Sequence, residues 1–333
     1  MISKSILGHL KKRLIGFLAA SCEFLGLAGP LHSQPYTNRP ITIIVPAAPS
    51  TGPDLRARLY MQRLGERWGV PVVVENRVGA SGNIGIAAVA EASGDGRTLL
   101  MTGGSYSINP VVNKVPYDPL KSFAPVILTS NGYSVLAVSS NTRARNLKEF
   151  IADAKTKPGD LTYASPGNGS VQHLSMELFK LNAGINVTHV PYKGAADAIR
   201  DVATGNVNAM FMPGESIVPL VQGGRVRVLA VLGQSRNPLF PAVTTFTEDG
   251  FAGFNVRSWI GLMAPASTSA DIVRRLNAEL NIVLNLPDIL ESVLKRTGVP
   301  DDGGGTPERL ADIVRTDLEM WTRLVATTGI KAD

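Results

Sequence analysis

The sequence predicts an α/β fold with doubly wound, mainly parallel sheets. From Pro35 onward, short apolar runs alternate with segments of helical periodicity, as expected of successive strand–helix units. The apolar runs end at clusters of glycine, proline, serine and threonine, which are typical of the loops that follow strands. A chain of 333 residues can bury a sizeable core and is expected to form about two domains.

The first strand–helix unit shows the pattern most clearly. The β-branched run 41–45 stops at the cluster 46–53, after which Leu55 and Leu59 begin an apolar helical face. Pro53 suits the first turn of this helix, because a missing N–H is no loss there. The backbone N–H groups of the loop and the positive end of the helix dipole converge on a small concavity that suits an anion.

The rest of the chain repeats this alternation and predicts two lobes. The predicted strands are 41–45, 70–75, 98–102, 124–128, 135–139, 161–164, 187–191, 207–212, 226–232 and 259–264. The predicted helices are 54–68, 84–92, 147–156, 171–182, 195–204, 216–222, 270–285 and 307–327. We expect the chain to change lobes near Val138 and near Asn255. Residues 35–138 and 255–333 then form a first lobe, and residues 139–254 form an inserted second lobe.

The first 34 residues are predicted to be a signal peptide that exports the protein to the periplasm. Basic residues precede the apolar run 14–20, and small residues follow at Ala28 and Ser33. Lipid attachment at Cys22 is the less favoured alternative, because an alanine stands where such signals usually carry leucine. Cys22 is the only cysteine, so removal of the signal leaves no disulfide, thiolate metal site or cysteine nucleophile.

Charge and motif content exclude several function classes. The net charge is +6, of which half lies in the signal segment, and no run of lysine or arginine with interleaved aromatic residues occurs. Nucleic acid is therefore not expected as a partner. The loop 76–83 lacks the G-x-G-x-x-G spacing of a dinucleotide site, and no lysine follows Gly52 as in a phosphate loop. We expect no cofactor and no metal.

Loops similar to 46–54 follow several later strands, at 76–83, 103–105, 165–170 and 192–194. Their glycines allow a close approach of the backbone to a ligand. The candidate ligand-binding residues are Ser50, Thr51, Gly52, Asp54, Gly82, Asn83, Gly104, Ser105, Ser165, Gly167, Asn168, Gly169, Ser170, His173, Tyr192, Lys193 and Gly194.

Several segments in one register resemble a single family. They are 46–54, 74–85, 115–119, 163–170 with His173, 189–194, and 259–262 with Ala264 and Pro265. Together they resemble the tripartite tricarboxylate transporter receptors, also called the Bug family of periplasmic solute-binding proteins. The resemblance implies a two-lobed, periplasmic-binding-protein-like fold, in which two doubly wound sheets are joined by two crossover segments.

The same resemblance implies the function. The lobes would close over a small organic anion, a mono- or dicarboxylate, held mostly by backbone N–H groups and ordered water. The receptor would then deliver this ligand to membrane permease subunits. We expect a monomer that performs no chemistry.

The first loop departs from the family pattern. The family usually has a glycine triplet followed by threonine or serine, whereas this chain has Ser50, Thr51, Gly52 and Pro53. The proline removes a backbone donor and a hydroxyl, while Ser50 and Thr51 add hydroxyls. The identity of the ligand is therefore not carried over from the family.

Some side chains allow a second interpretation. His173 lies in the first turn of a predicted helix, where a histidine more often fixes a loop as a hydrogen-bond donor than acts as a catalyst. Lys193 either pairs with an anion or is a solvated loop cation. An exported serine hydrolase would need His173 or His189 beside a serine and an acid, although no G-x-S-x-G motif is present. A receptor that feeds a sensor kinase would differ only in its partner.

Overall fold

The computed structural model describes residues 39–132, 134–233, 235–252, 254, 256–297 and 302–330. The predicted signal peptide, including Cys22, lies outside the described residues.

The first sheet contains three parallel strands and two strands at its other side. Its members are β1 (Ile41–Val45), β2 (Val72–Asn76), β3 (Thr98–Gly103), β4 (Phe123–Gly132) and β10 (Ser258–Pro265). They are arranged in the order β2-β1-β3-β10-β4. β1 pairs in parallel with β2 and β3, whereas β10 is antiparallel to both β3 and β4.

The second sheet has the same topology. Its members are β5 (Ser134–Ser139), β6 (Thr162–Ser165), β7 (Thr188–Pro191), β8 (Ala209–Pro213) and β9 (Val226–Leu232). The order is β7-β6-β8-β5-β9, and β5 is antiparallel to both β8 and β9. The reversed strand of each sheet, β5 or β10, is therefore the one by which the chain enters from the other lobe. These two five-stranded sheets with their helices are the predicted two-lobed α/β fold.

Helices connect the strands of both sheets. The α-helices of the described chain are α1 (Gly52–Trp68), α2 (Asn83–Ala90), α3 (Ser105–Val112), α4 (Leu147–Thr156), α5 (Val171–Ala183), α6 (Ala195–Thr204), α7 (Val218–Gln222), α8 (Ala270–Leu284), α9 (Pro287–Thr297) and α10 (Pro307–Thr328). Short 3₁₀ turns at Ala80–Gly82 and Gly214–Ile217 precede α2 and α7.

The last helix, α10, packs into the cores of both lobes. Near its start, Leu310 and Ile313 lie in a core with residues of the first sheet such as Leu100. Near its end, Trp321 belongs to a core with Phe179 of α5 in the second lobe. α10 therefore joins the lobes in addition to the two crossover segments.

The first change of sheet lies earlier than the predicted position near Val138. β4 of the first sheet ends at Gly132, and β5 of the second sheet begins at Ser134. The run 135–139 is buried along its whole length, so its sequence pattern suits the centre of either sheet. The second change lies between β9 and β10, where Asn255 itself is outside the described residues.

All ten predicted strands and all eight predicted helices are present, but α3 and α9 are additional. α3 is only eight residues long and contains Pro110, which disfavours a helix in a sequence-based prediction. The sequence of α9 does have a pattern typical of a helix, since Pro287 begins it and the buried residues Ile289 and Val293 are four positions apart.

Candidate ligand-binding site

The loops after β1 and β2 pack against each other at the carboxyl edge of the first sheet. A Cβ atom added at Gly82 would lie 2.8 Å from the carbonyl oxygen of Pro46, and one at Gly85 would lie 3.1 Å from Pro46 Cβ. Gly82 also has a φ of +93°, a conformation that L side chains rarely adopt. A side chain at Gly82 would therefore separate the two loops.

The end of β3 and the start of α1 meet at Ile260 of β10. The Cδ1 atom of Ile260 lies 3.3 Å from a Cβ added at Gly52, and its Cγ1 atom lies 3.8 Å from one added at Gly103. Ile260 is half-buried and is absent from the predicted candidates. Strand alternation places it on the face opposite to the buried Trp259, but alternation alone does not indicate which face borders a ligand.

The two lobes come into contact beside Gly104. A Cβ atom added there would lie 3.0 Å from Cγ2 of Val171. Gly104 directly precedes α3 of the first lobe, and Val171 is the first residue of α5 of the second lobe. The starts of these two helices therefore lie side by side, so the candidates Gly104 and Ser170 are brought together.

The carboxylate of Asp54 organises the first loop. Its Oδ2 atom accepts hydrogen bonds from the backbone N–H of Ser50 at 2.8 Å and from Arg58 Nε at 3.2 Å, and its Oδ1 atom accepts one from Asn76 Nδ2 at 2.9 Å. Burial acts to raise the pKa of Asp54, but these hydrogen bonds and the charge of Arg58 outweigh it and hold the pKa below its usual value. Asp54 is thus an ionised carboxylate bonded within the first lobe.

The hydroxyl-bearing residues of this loop have distinct local roles. Thr51 precedes α1 and donates its Oγ1 hydrogen to the carbonyl of Ala48 at 2.7 Å. Ser50 has a φ of +66°, in the left-handed region that favours glycine. The chain therefore keeps a glycine-type backbone at Ser50 while carrying a side chain.

The loop before α2 is fixed by hydrogen bonds from α3 and from the segment that follows α3. Asn83 Oδ1 accepts hydrogen bonds from Asn109 Nδ2 at 3.0 Å and from the Tyr117 hydroxyl at 2.8 Å. Asn109 also donates to the carbonyl of Ser81 at 2.8 Å. The side-chain oxygen of the candidate Asn83 is therefore engaged within the first lobe.

The loop after β6 in the second lobe is held by hydroxyl groups. Ser170 donates its Oγ hydrogen to the carbonyl of Gly167 at 2.7 Å, and its oxygen accepts the N–H of His173 at 3.3 Å, which caps α5. Ser165 Oγ lies 3.2 Å from the N–H of Gly167. Gly167 and Gly169 have φ values of +142° and +72°, so the loop uses glycine where the first loop uses Ser50.

Two stacked imidazoles support the same loop. The N–H of Gly169 donates to His173 Nδ1 at 3.1 Å, so His173 fixes the loop as an acceptor at this nitrogen rather than as the predicted donor. The rings of His173 and His189 lie 4.1 Å apart and nearly parallel, and Tyr163 stacks on His189 at 4.6 Å. Burial and a hydrogen bond to Glu177 raise the pKa of Tyr163, which therefore stays protonated.

The loop after β7 lies beside the loop after β6. The N–H of Tyr192 donates to the carbonyl of Ser165 at 3.0 Å, and the Tyr192 hydroxyl donates to Asp201 at 2.7 Å. Burial and this hydrogen bond raise the pKa of Tyr192 to about 12. Lys193 is exposed, and Gly194 has extended backbone directly before α6.

Two further candidates, Ser105 and Asn168, lie in loops already described. Ser105 is exposed at the first position of α3, and Asn168 is half-buried between Gly167 and Gly169.

The pair Ser165 and His189 meets one requirement of a serine hydrolase, since Ser165 Oγ lies 2.7 Å from His189 Nε2. Ser165, however, has 0% of its surface exposed, and its Oγ also lies 3.1 Å from the carbonyl of Gly167. The Ser165 hydroxyl is therefore buried and bonded in its own loop, whereas a nucleophile has to reach the carbonyl of a bound substrate.

Among the residues that the structure describes, no three histidine, cysteine, aspartate or glutamate side chains are grouped as metal ligands would be. Within the same described ranges, none of the helices combines the length and the apolar character that crossing a membrane requires.

Comparison with known proteins identifies the family. Residues 57–330 match the model of the "Tripartite tricarboxylate transporter family receptor". The chain belongs to this family. Protein BugT of Bordetella pertussis is 32% identical to it over 322 residues, which cover 96% of this chain and 98% of BugT. The receptor family is one of periplasmic solute-binding proteins, and the protein is accordingly a solute-binding receptor of the Bug type rather than an enzyme.

Solved structures of similar proteins contain carboxylates. Rpa4515 of R. palustris with adipate is 32% identical, with a TM-score of 0.76 over 88% of this chain and 98% of that chain. MatC of Rhodopseudomonas palustris with bound malate is 29% identical, with a TM-score of 0.72 over 86% of this chain and 99% of that chain. Both similarities extend over the two lobes.

Proposed function

We propose that this receptor binds a small mono- or dicarboxylate between its lobes in the periplasm and delivers it to membrane permease subunits. The contact between Gly104 and Val171 carries this proposal, because it brings together the starts of two helices from different lobes. Helix starts present unpaired backbone N–H groups and a positive dipole end, both of which favour an anion. The predicted signal peptide, residues 1–34, would direct the protein to the periplasm.

Neutral donors account for the expected reversibility of binding. Beside the loop after β1, the guanidinium of Arg58 is already bonded to Asp54 and Asn76. We propose that the ligand carboxylate is held mainly by backbone N–H groups of the loops 46–54, 103–105 and 165–170. A site built from neutral donors binds an anion less tightly than a charged one does. Because differences in affinity arise mainly from differences in dissociation rate, such a site lets the ligand leave within a transport cycle.

Calorimetry with a panel that includes adipate and malate tests the proposal. The wild-type protein should bind at least one carboxylate, and small-angle scattering should show a smaller radius of gyration with that ligand if the apo lobes are open. Gly104→Val should weaken binding at least tenfold, because its side chain would collide with Val171 and keep the lobes apart. Ala152→Val, on an exposed face of α4, is the control and should bind normally.

Two outcomes would contradict the proposal. If native mass spectrometry finds no co-purified anion and no carboxylate of the panel binds, the ligand class is wrong. If carboxylates bind equally well to Gly104→Val, the ligand does not lie where the lobes meet.

A further inference from the structure

Ile260 presents apolar carbon atoms at the junction of two loops of the first lobe. Two glycines lie beside it: its Cδ1 atom is 3.3 Å from a Cβ added at Gly52, and its Cγ1 atom is 3.8 Å from one added at Gly103. The isoleucine is half-buried, although the neighbouring Trp259 and Leu262 of β10 are almost fully buried. Part of the Ile260 side chain is therefore open to whatever occupies the space beside the loops.

Val171 presents a second apolar group from the second lobe. Its Cγ2 atom lies 3.0 Å from a Cβ position on Gly104, and the residue is half-buried at the first position of α5. Gly103 and Gly104 are consecutive, so Ile260 and Val171 both lie next to the same short stretch of backbone. Each lobe thus contributes one branched aliphatic side chain next to the polar backbone of the helix starts.

We infer that Ile260 and Val171 together form the apolar part of the ligand site and select carboxylates with a hydrocarbon body over hydroxy acids. This inference rests on the proposed function and adds the substrate class. Methylene groups that contact these side chains displace water from apolar surface, which is favourable. A ligand hydroxyl in the same place would lose its hydrogen bonds to water without gaining a partner.

The selection should be visible as a ratio of affinities. Adipate has four methylene groups, whereas malate carries a hydroxyl, so the two are suitable probes. The wild-type protein should bind adipate more tightly than malate. A methylene in an apolar pocket is worth about tenfold or more in discrimination, so Ile260→Ala should weaken adipate binding by about tenfold and malate binding by less than threefold.

Val171→Ala should also lower the preference for adipate over malate. Ile260→Val, which keeps a branched aliphatic side chain, should retain most of the adipate affinity of the wild type. Ile282→Ala is the matched control, because Ile282 is an exposed isoleucine of α8. It should leave both affinities unchanged. Melting temperatures of all variants separate a loss of folding from a loss of contact.

The outcomes distinguish the inference from the proposal beneath it. If neither adipate nor malate nor any other carboxylate of the panel binds the wild-type protein, the proposed function fails and the inference with it. If carboxylates bind but the adipate-to-malate ratio is the same in wild type, Ile260→Ala and Val171→Ala, only the inference is overturned. A wild-type preference for malate would also overturn it.

Discussion

The loop at 46–54 in the first lobe and the loop at 165–173 in the second lobe occupy equivalent places but are held by different chemistry. Both follow a parallel strand and lead into a helix that starts beside the candidate site. In the first loop, an ionised carboxylate, Asp54, accepts bonds from backbone and side chains. In the second loop, the contacts are made by the Ser170 hydroxyl and the His173 imidazole.

The difference shows how a negative charge can lie close to a site for anions. The charge of Asp54 is compensated by the ion pair with Arg58 and by hydrogen bonds from Asn76 and from the N–H of Ser50. Its repulsion of a bound anion is therefore weakened. The second loop contains no acidic residue and needs no such neutralisation. The backbone differs as well, because Ser50 adopts a left-handed conformation that Gly167 and Gly169 adopt without strain.

Removal of the charge should have the largest effect. Asp54→Ala removes the acceptor of the Ser50 N–H and one of the two acceptors of the Asn76 amide, which keeps its bond to the carbonyl of Ala47. Hydrogen bonds to charged groups are worth about 1.5–3 kcal/mol. Because Arg58 is half-exposed, its contribution is small. We expect the free energy of unfolding to fall by about 2–3 kcal/mol, measured by urea denaturation.

Asp271→Ala is the control for this experiment, since Asp271 is an exposed carboxylate at the start of α8. It should change stability by less than about 0.5 kcal/mol. An equally small effect of Asp54→Ala would mean that the first loop is not held by charge, and the contrast between the loops would be wrong.

A second buried carboxylate, Asp317 of α10, should respond to pH in the opposite way to Asp54. Burial raises the pKa of Asp317 to about 6, although the bond from Trp259 Nε1 at 2.7 Å and the charge of Arg257 lower it in part. The folded protein thus binds this proton more readily than the unfolded chain does. Stability from Asp317 is therefore present in acid and is lost as the pH rises through about 6.

Between pH 7 and pH 5 we expect Asp317 to add about 1 kcal/mol of stability. Asp54 should add no slope in this range, because its lowered pKa makes its contribution fall only below about pH 4. Urea denaturation of wild type and Asp317→Asn at both pH values tests this, since the titration of other groups cancels in the difference. Equal slopes for the two proteins would show that Asp317 does not titrate there.

The positions of the loops could be predicted from the sequence, but the roles of their side chains could not. Apolar runs bounded by glycine and proline indicate where strands end, and this was sufficient for the loops at both sheet edges. The bonding of Asp54 depends on Asn76 from the next strand, which no local pattern shows. Its bond to Arg58 could have been expected, because the two residues are four apart on a helix.

Ile260 illustrates a different limit of the sequence. An apolar residue in a strand suits the core on either face, and only the packing of β10 against the Gly52 and Gly103 backbones distinguishes it. The place where the chain changes sheets is hard to predict for a similar reason, since residues 135–139 of β5 are all buried. Long-range packing, rather than local propensity, decides both.

Loss of the helix cap in the second loop should have a moderate effect. Ser170→Ala removes the acceptor for the N–H of His173 and the donor to Gly167, and an N-cap is worth about 1 kcal/mol. Ser269→Ala, which removes the cap of α8 far from the loops, is the matched control and should lose a similar amount. Because the Ser170 hydrogen is already donated, affinity for a carboxylate should stay within threefold of wild type in both variants. A tenfold loss in Ser170→Ala alone would show that the hydroxyl contacts the ligand.

Relief of strain in the first loop should have the smallest effect, and it should be a gain. A left-handed backbone costs an L residue about 1–2 kcal/mol. Glycine, however, makes the unfolded chain more flexible, which lowers the free energy of unfolding by about 0.4–1 kcal/mol. Ser50→Gly should therefore raise the free energy of unfolding by about 0.5 kcal/mol, while the Ser50 N–H bond to Asp54 remains. Ser140→Gly is the control, because Ser140 is exposed and its φ is not positive, and this variant should gain nothing. If Ser50→Gly is no more stable than wild type, the two loops do not differ in strain. If Ser50→Gly is more stable but binds carboxylates more weakly, the Ser50 hydroxyl contacts the ligand.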